Sequence, residues 1–122
     1  MEMPLLKRVY ATPDPADGTR ILVDRLWPRG LAKAKARIDL WLKDVAPSNT
    51  LRHRFHAKPE DWDLFRAAYA GELEAPEAQA ALRSLREHMA GGRVTLLFAA
   101  RDEEHNNAVA LRDWLMQQNR RH

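Results

Sequence analysis

Val94-Thr95-Leu96-Leu97-Phe98-Ala99-Ala100 reads as the central strand of a sheet. The run is almost wholly apolar and carries no alternating polar face, the pattern of a strand covered on both sides. Gly91-Gly92 precedes it and ends a helix, because glycine accepts the left-handed conformation at a helix carboxyl end. That helix opens at Pro76 and places Ala78, Ala81, Leu82, Leu85 and Met89 on one face. On the other side of the strand the chain turns polar at once, with Arg101-Asp102-Glu103-Glu104-His105-Asn106-Asn107. A last helix follows, with Ala108, Leu111 and Leu115 on one face and Trp114 beside them.

Working towards the amino end, Trp62, Phe65, Tyr69 and Leu73 recur at helical spacing, and Pro59 suits the first turn of that helix. Ser48 is a good N-cap for a helix over Asn49 to His56, since its hydroxyl can accept an orphan first-turn amide. Leu40-Trp41-Leu42 reads as a third strand, with the edge of a helix as the alternative. Lys33 to Arg37 is basic with some helical character. Arg20-Ile21-Leu22-Val23-Asp24 is a second strand buried on both faces, and Leu5 to Tyr10 a short first one. Between them Pro13, Asp14, Pro15, Asp17 and Gly18 supply turn chemistry. The order β-β-β-α-α-α-β-α predicts a single three-layer α/β domain over residues 1–122, with a small, mostly parallel sheet flanked by helices.

With 122 residues, 45% hydrophobic, the chain suits one core. No apolar run is long enough for a membrane span, and the start lacks the h-region of a signal peptide. Cysteine is absent, which excludes disulfides and thiol chemistry and suits a cytoplasmic protein. The net charge of +3 includes Arg120-Arg121, expected to be a solvated end. So small an excess favours anionic partners only slightly.

Ligands of open α/β sheets bind beyond the carboxyl ends of the strands. Two strands end in polar clusters there, Asp24-Arg25-Leu26-Trp27-Pro28-Arg29-Gly30 and Arg101 to Asn106. If the strands are parallel neighbours, Arg25, Arg29 and Arg101 surround one cleft. Their permanently charged planar forks suit phosphate or carboxylate. The helix start after the second cluster favours an anion, but Asp102, Glu103 and Glu104 could cap it instead. Asp24 is a candidate base or metal ligand, with a structural ion pair to Arg25 or Arg29 preferred. His105 could move protons near neutral pH, or merely be hydrogen-bonded. Asp44 is the third proton-transfer candidate, and Asn106 could orient a polar ligand group. Trp27 and Trp41 could stack on a planar ligand, though core packing is preferred.

His53 and His56 share a helical face, but no spacing matches a metal pattern, and no cofactor is expected. Ser48 and Ser84 read as a cap and a helix-surface residue, not nucleophiles. The expected function is therefore binding, with turnover left open, of a small anion such as a phosphate ester or nucleotide. The alternative is a nucleic-acid or regulatory module using Lys33, Lys35, Arg37, Arg52 and Arg54.

Four stretches carry a family resemblance: Asp17-Gly18-Thr19-Arg20, Val23 to Gly30, Leu40 to Ser48, and Phe98-Ala99-Ala100-Arg101-Asp102-Glu103-Glu104-His105-Asn106. They resemble the signature of the YeaO-like proteins (domain of unknown function 488), over nearly the whole chain. The resemblance implies one small cytoplasmic domain without an established activity, and it names no substrate. It also implies cysteine near the last motif in other branches, which this chain does not have.

Overall fold

The computed structural model describes residues 2–120. The expectation of a solvated Arg120-Arg121 tail falls on side chains outside the described residues. Four strands form one parallel sheet: β1 (Leu5–Arg8), β2 (Thr19–Leu22), β3 (Leu40–Trp41) and β4 (Val94–Phe98). Their order is β1-β4-β2-β3, so the last strand in sequence lies between the first two. Thr95 pairs with Leu5 on one side and Arg20 on the other, and Leu97 with Lys7 and Leu22. All of β4 is buried, as its almost wholly apolar run requires.

Among the described residues five α-helices complete the fold: α1 (Lys33–Ala36), α2 (Asn49–Ala57), α3 (Trp62–Glu72), α4 (Pro76–Gly91) and α5 (Asn107–Arg120). Alternate strand residues face opposite layers. Ile21, Val23, Leu96 and Phe98 join the large core, where they meet Leu51, Phe65, Tyr69, Leu82, Leu85 and Leu111 from α2 to α5. Leu22, Leu97 and Val9 point the other way into a small cluster with Trp27, Leu31, Ile38 and Trp41. The three layers are thus unequal. Four helices cover one face, while the segment from Trp27 to Ile38, containing the single turn of α1, covers the other.

Two helix boundaries differ from expectation. Pro59 lies three residues before α3, whose N-cap is Asp61. Gly92 leaves α4 at φ 156°, ψ −166°, not in the left-handed helical region. Ser48 behaves as expected: its Oγ accepts the Leu51 amide at 3.1 Å. It is itself gripped by Glu72, which accepts from Ser48 N and Oγ, both at 2.7 Å, joining α2 to α3.

At the amino edge of the sheet sits a buried ionic cluster. Asp17 and Arg20 are only 6% and 4% exposed. Arg20 Nη1 donates to Asp17 Oδ2 at 2.5 Å, and Lys7 Nζ reaches both Asp17 oxygens at 3.1 Å. Arg20 also donates to the carbonyls of Ala36 and Arg37, so the carboxyl end of α1 hangs at this edge. The opposite edge is left for the cavity.

Candidate functional site

All four strand ends open on one cavity of about 690 Å³. Tyr10 enters it after β1, Ala99 to Arg101 after β4, Asp24 to Arg29 after β2, and Pro47 after β3. Arg52, Phe55 and His56 from α2 close one side, and the loop before α5 closes another with His105 and Asn106. Parallel strands all send their continuations to the same edge, so distant segments converge here without any local signal.

The expected arginines meet at this cavity, but they are not equivalent. Arg25 is partly spent on the fold: Nε donates to Pro47 O at 3.1 Å and Nη2 to Ala46 O at 2.9 Å. It braces the chain after β3. Arg29 and Arg101 are exposed, and neither guanidinium has a hydrogen bond or ion pair among the described residues. Arg29 is held through its backbone, whose carbonyl accepts from Tyr10 Oη at 2.8 Å. A fourth cavity arginine, Arg52, donates from Nη1 to Asn49 Oδ1 at 2.7 Å.

Asp24 makes no ion pair with Arg25 or Arg29, contrary to expectation. Its Oδ2 accepts the Ala99 amide at 2.9 Å and its Oδ1 accepts Asn107 Nδ2 at 3.0 Å. Neutral donors thus satisfy it, because β4 and α5 lie beside the end of β2. Burial pushes its carboxyl above the usual range, and Asn107, Ala99 and the charge of Arg52 only partly offset this. Its backbone carbonyl accepts Trp41 Nε1 at 2.7 Å.

Two other candidates are placed differently from expectation. Asp44 is exposed in a 3-10 turn (Lys43–Val45) and does not line the cavity, because the turn buries Val45 and sends its neighbour outward. Asn106 is buried as the N-cap of α5: Oδ1 accepts Val109 N at 3.0 Å and Nδ2 donates to Asp102 O at 2.9 Å. Both ends of its amide are committed to the helix start, the role the sequence left to the acidic residues. His105 precedes that cap and lines the cavity, within the polar cluster that follows β4. Its Nδ1 lies 3.5 Å from Asp102 Oδ2, and its ring meets Trp62 edge-on at 5.0 Å. Asp102 accepts the amides of Glu104 and His105, which hold its carboxyl below the usual range.

Trp27 is core and cavity wall together. It packs edge-on against Trp41 at 5.4 Å, and its Nε1 donates to Leu31 O at 2.8 Å. His53 and His56 are exposed, and among the described residues no group of three or more metal-binding side chains occurs. No described helix is long and apolar enough to cross a membrane. The basic residues considered for nucleic acid are dispersed. Arg37 follows α1, its backbone carbonyl accepting from Arg20 at the amino edge, Arg52 lines the cavity, and Arg54 lines a groove between α2 and α3. The sequence reading missed Tyr10, Phe55, His56 and Asn107 as cavity residues. Only Asn107, lying within the last polar cluster, had any linear signal.

Fold and site define a small parallel α/β protein with an arginine-lined cavity at its strand ends. Residues 3–122 match the family model described as "Inactive DUF488-N3 subclade", and the chain belongs to this DUF488 family. Among its relatives is Uncharacterized protein YeaO of Escherichia coli, 41% identical over 109 residues, which cover 89% of this chain and 93% of that one. Uncharacterized proteins Rv3073c of Mycobacterium tuberculosis and Mb3100c of Mycobacterium bovis are each 50% identical over 78 residues, 64% of this chain and 66% of theirs. No solved structure matches the chain.

Proposed function

We propose that the protein binds a small anionic molecule in the cavity at the carboxyl edge of its sheet, without turning it over. One observation carries this reading: Arg29 and Arg101 reach the same cavity from two adjacent strand ends, and neither has an internal acceptor. Guanidinium groups lining one cavity repel one another, and an anionic guest relieves that repulsion. Two of the three proton-transfer candidates favour binding over chemistry. Asp24 has both oxygens engaged, Asp44 lies elsewhere, and no thiol exists in the chain. The description of its subclade as inactive agrees with that choice. We place the protein in the cytoplasm, as its cysteine-free composition allows.

Thermal unfolding followed against inorganic phosphate, pyrophosphate, sulfate, citrate and ATP tests the reading. A ligand present at about a hundred times its Kd stabilises the fold by about 2.7 kcal/mol. At least one anion should raise Tm in the native chain and fail to do so in the Arg29→Ala/Arg101→Ala double variant. A flat response to the whole panel overturns it.

A further inference from the structure

We infer that the ligand is a dianionic phosphomonoester carried on an apolar, ring-bearing body; the inference rests on the anion-binding reading above. The first argument is charge. Four arginines and two aspartates line the cavity, leaving two positive charges in excess with the histidines neutral. A phosphomonoester at neutral pH carries about −1.5 to −2, and a carboxylate only half of that. The second is the number of free forks. One guanidinium satisfies a carboxylate, whereas the unpartnered Arg29 and Arg101 offer two forks, enough for the three terminal oxygens of a phosphoryl group.

The third argument is size and lining. At about 690 Å³ the cavity is far larger than a lone phosphate needs. It falls within the roughly 300–1,000 Å³ typical of sites for organic ligands. Its lining also includes apolar side chains, among them Trp27, Pro47, Phe55 and Pro59. Phe55 is fixed by stacking on Phe65 at 4.5 Å between ring centres. Rings held this way offer a flat face to a planar ligand group.

Isothermal titration of the full chain with phenyl phosphate, inorganic phosphate, methyl phenyl phosphate and benzoate separates the parts. Phenyl phosphate should bind about tenfold or more tighter than each of the others, the scale of one charge-assisted hydrogen bond or one buried ring. Arg101→Ala should remove about tenfold of phenyl phosphate affinity. Phe55→Leu should weaken phenyl phosphate and leave inorganic phosphate unchanged. Equal binding of phenyl phosphate and inorganic phosphate overturns the ring-bearing body and leaves the anion site standing. Benzoate or the monoanionic methyl ester binding as tightly as phenyl phosphate overturns the dianion requirement. Binding of none of the four, with the native chain folded by circular dichroism, overturns this inference; the site reading then falls only if the wider anion panel is also silent.

Discussion

Asn107 donates one side-chain amide to two acceptors on the β2 terminus, Asp24 Oδ1 at 3.0 Å and the Val23 carbonyl at 2.9 Å. The first residue of α5 thereby holds the floor of the cavity in place. Asn107→Ala should cost about 1–3 kcal/mol in urea unfolding, because a half-buried carboxylate and a carbonyl lose a donor. The Asp24 carboxyl, already raised mainly by burial, should move higher in an NMR pH titration. The sign follows from linkage: a raised carboxyl favours the fold below its unfolded value of 3.8, and that contribution is lost as pH rises through the folded value. The variant should therefore lose more stability at neutral pH than in acid. An equal loss at both would detach Asn107 from Asp24.

The cavity arginines should separate into two groups. Arg29→Ala and Arg101→Ala remove exposed side chains without internal partners and should change stability by no more than about 0.5 kcal/mol. Arg25→Ala strips the donors from Pro47 O and Ala46 O and should cost about 1–3 kcal/mol. Denaturant midpoints of the three variants check this, and equal losses would contradict the division.

Acid should also act at the other edge of the sheet. Burial raises the Asp17 carboxyl, but the Asp14 amide, Lys7 and Arg20 outweigh it and hold it below the usual range. Its contribution is present above pH 3.8 and disappears as pH falls through the lower folded value. Asp17→Asn should flatten the acid limb of a stability–pH curve. It should also cost about 3–5 kcal/mol at neutral pH by leaving Arg20 buried and uncompensated.

Gly18 bridges that cluster and β2 at φ 66°, and a Cβ there would lie 2.2 Å from the Arg93 carbonyl oxygen. The same carbonyl accepts the Thr19 amide at 2.9 Å, so it cannot retreat without losing a bond. Gly18→Ala should lower stability by about 1–3 kcal/mol, measurable as a drop in Tm. A neutral substitution would show that the turn relaxes freely.

Tyr69 is fully buried, and its hydroxyl donates to the Val45 carbonyl. Burial, with help from Glu72 and Asp24, pushes its phenol well above 10. Folded protein favours the neutral phenol, so this stabilisation persists below pH 10 and is lost as pH rises further. In a Tyr10→Phe background no tyrosinate absorbance should appear until the chain unfolds. Tyr69→Phe should cost about 1–3 kcal/mol by leaving Val45 O without its donor.

Much of the fold was legible because periodicity reports burial directly. The run from Val94 to Phe98 announced a doubly covered strand, and Phe65, Tyr69 and Leu73 announced the inward face of α3. The fold departs from that reading where covering does not need a helix. The second face of the sheet is closed largely by Trp27, Leu31 and Ile38 from a loop, and loops have no period to read. The Arg25, Arg29 and Arg101 cluster was readable because parallel strands must end at one edge. The assignment of Asp24 to an arginine failed because its real donors, Ala99 and Asn107, lie 75 and 83 positions away.

By itself, the order of residues determined which segments are strands and helices, which of their faces turn inward, and that the polar clusters follow strands. These are local consequences of side-chain spacing and backbone preference. Tertiary structure alone decided that β4 inserts between β1 and β2, that Arg25 is bound to the fold while Arg29 and Arg101 are free, and that Asn106 caps a helix. Each of these depends on which carbonyls and carboxylates lie within about 3 Å of a side chain, and hydrogen bonds of that length are set by packing between segments remote in the chain.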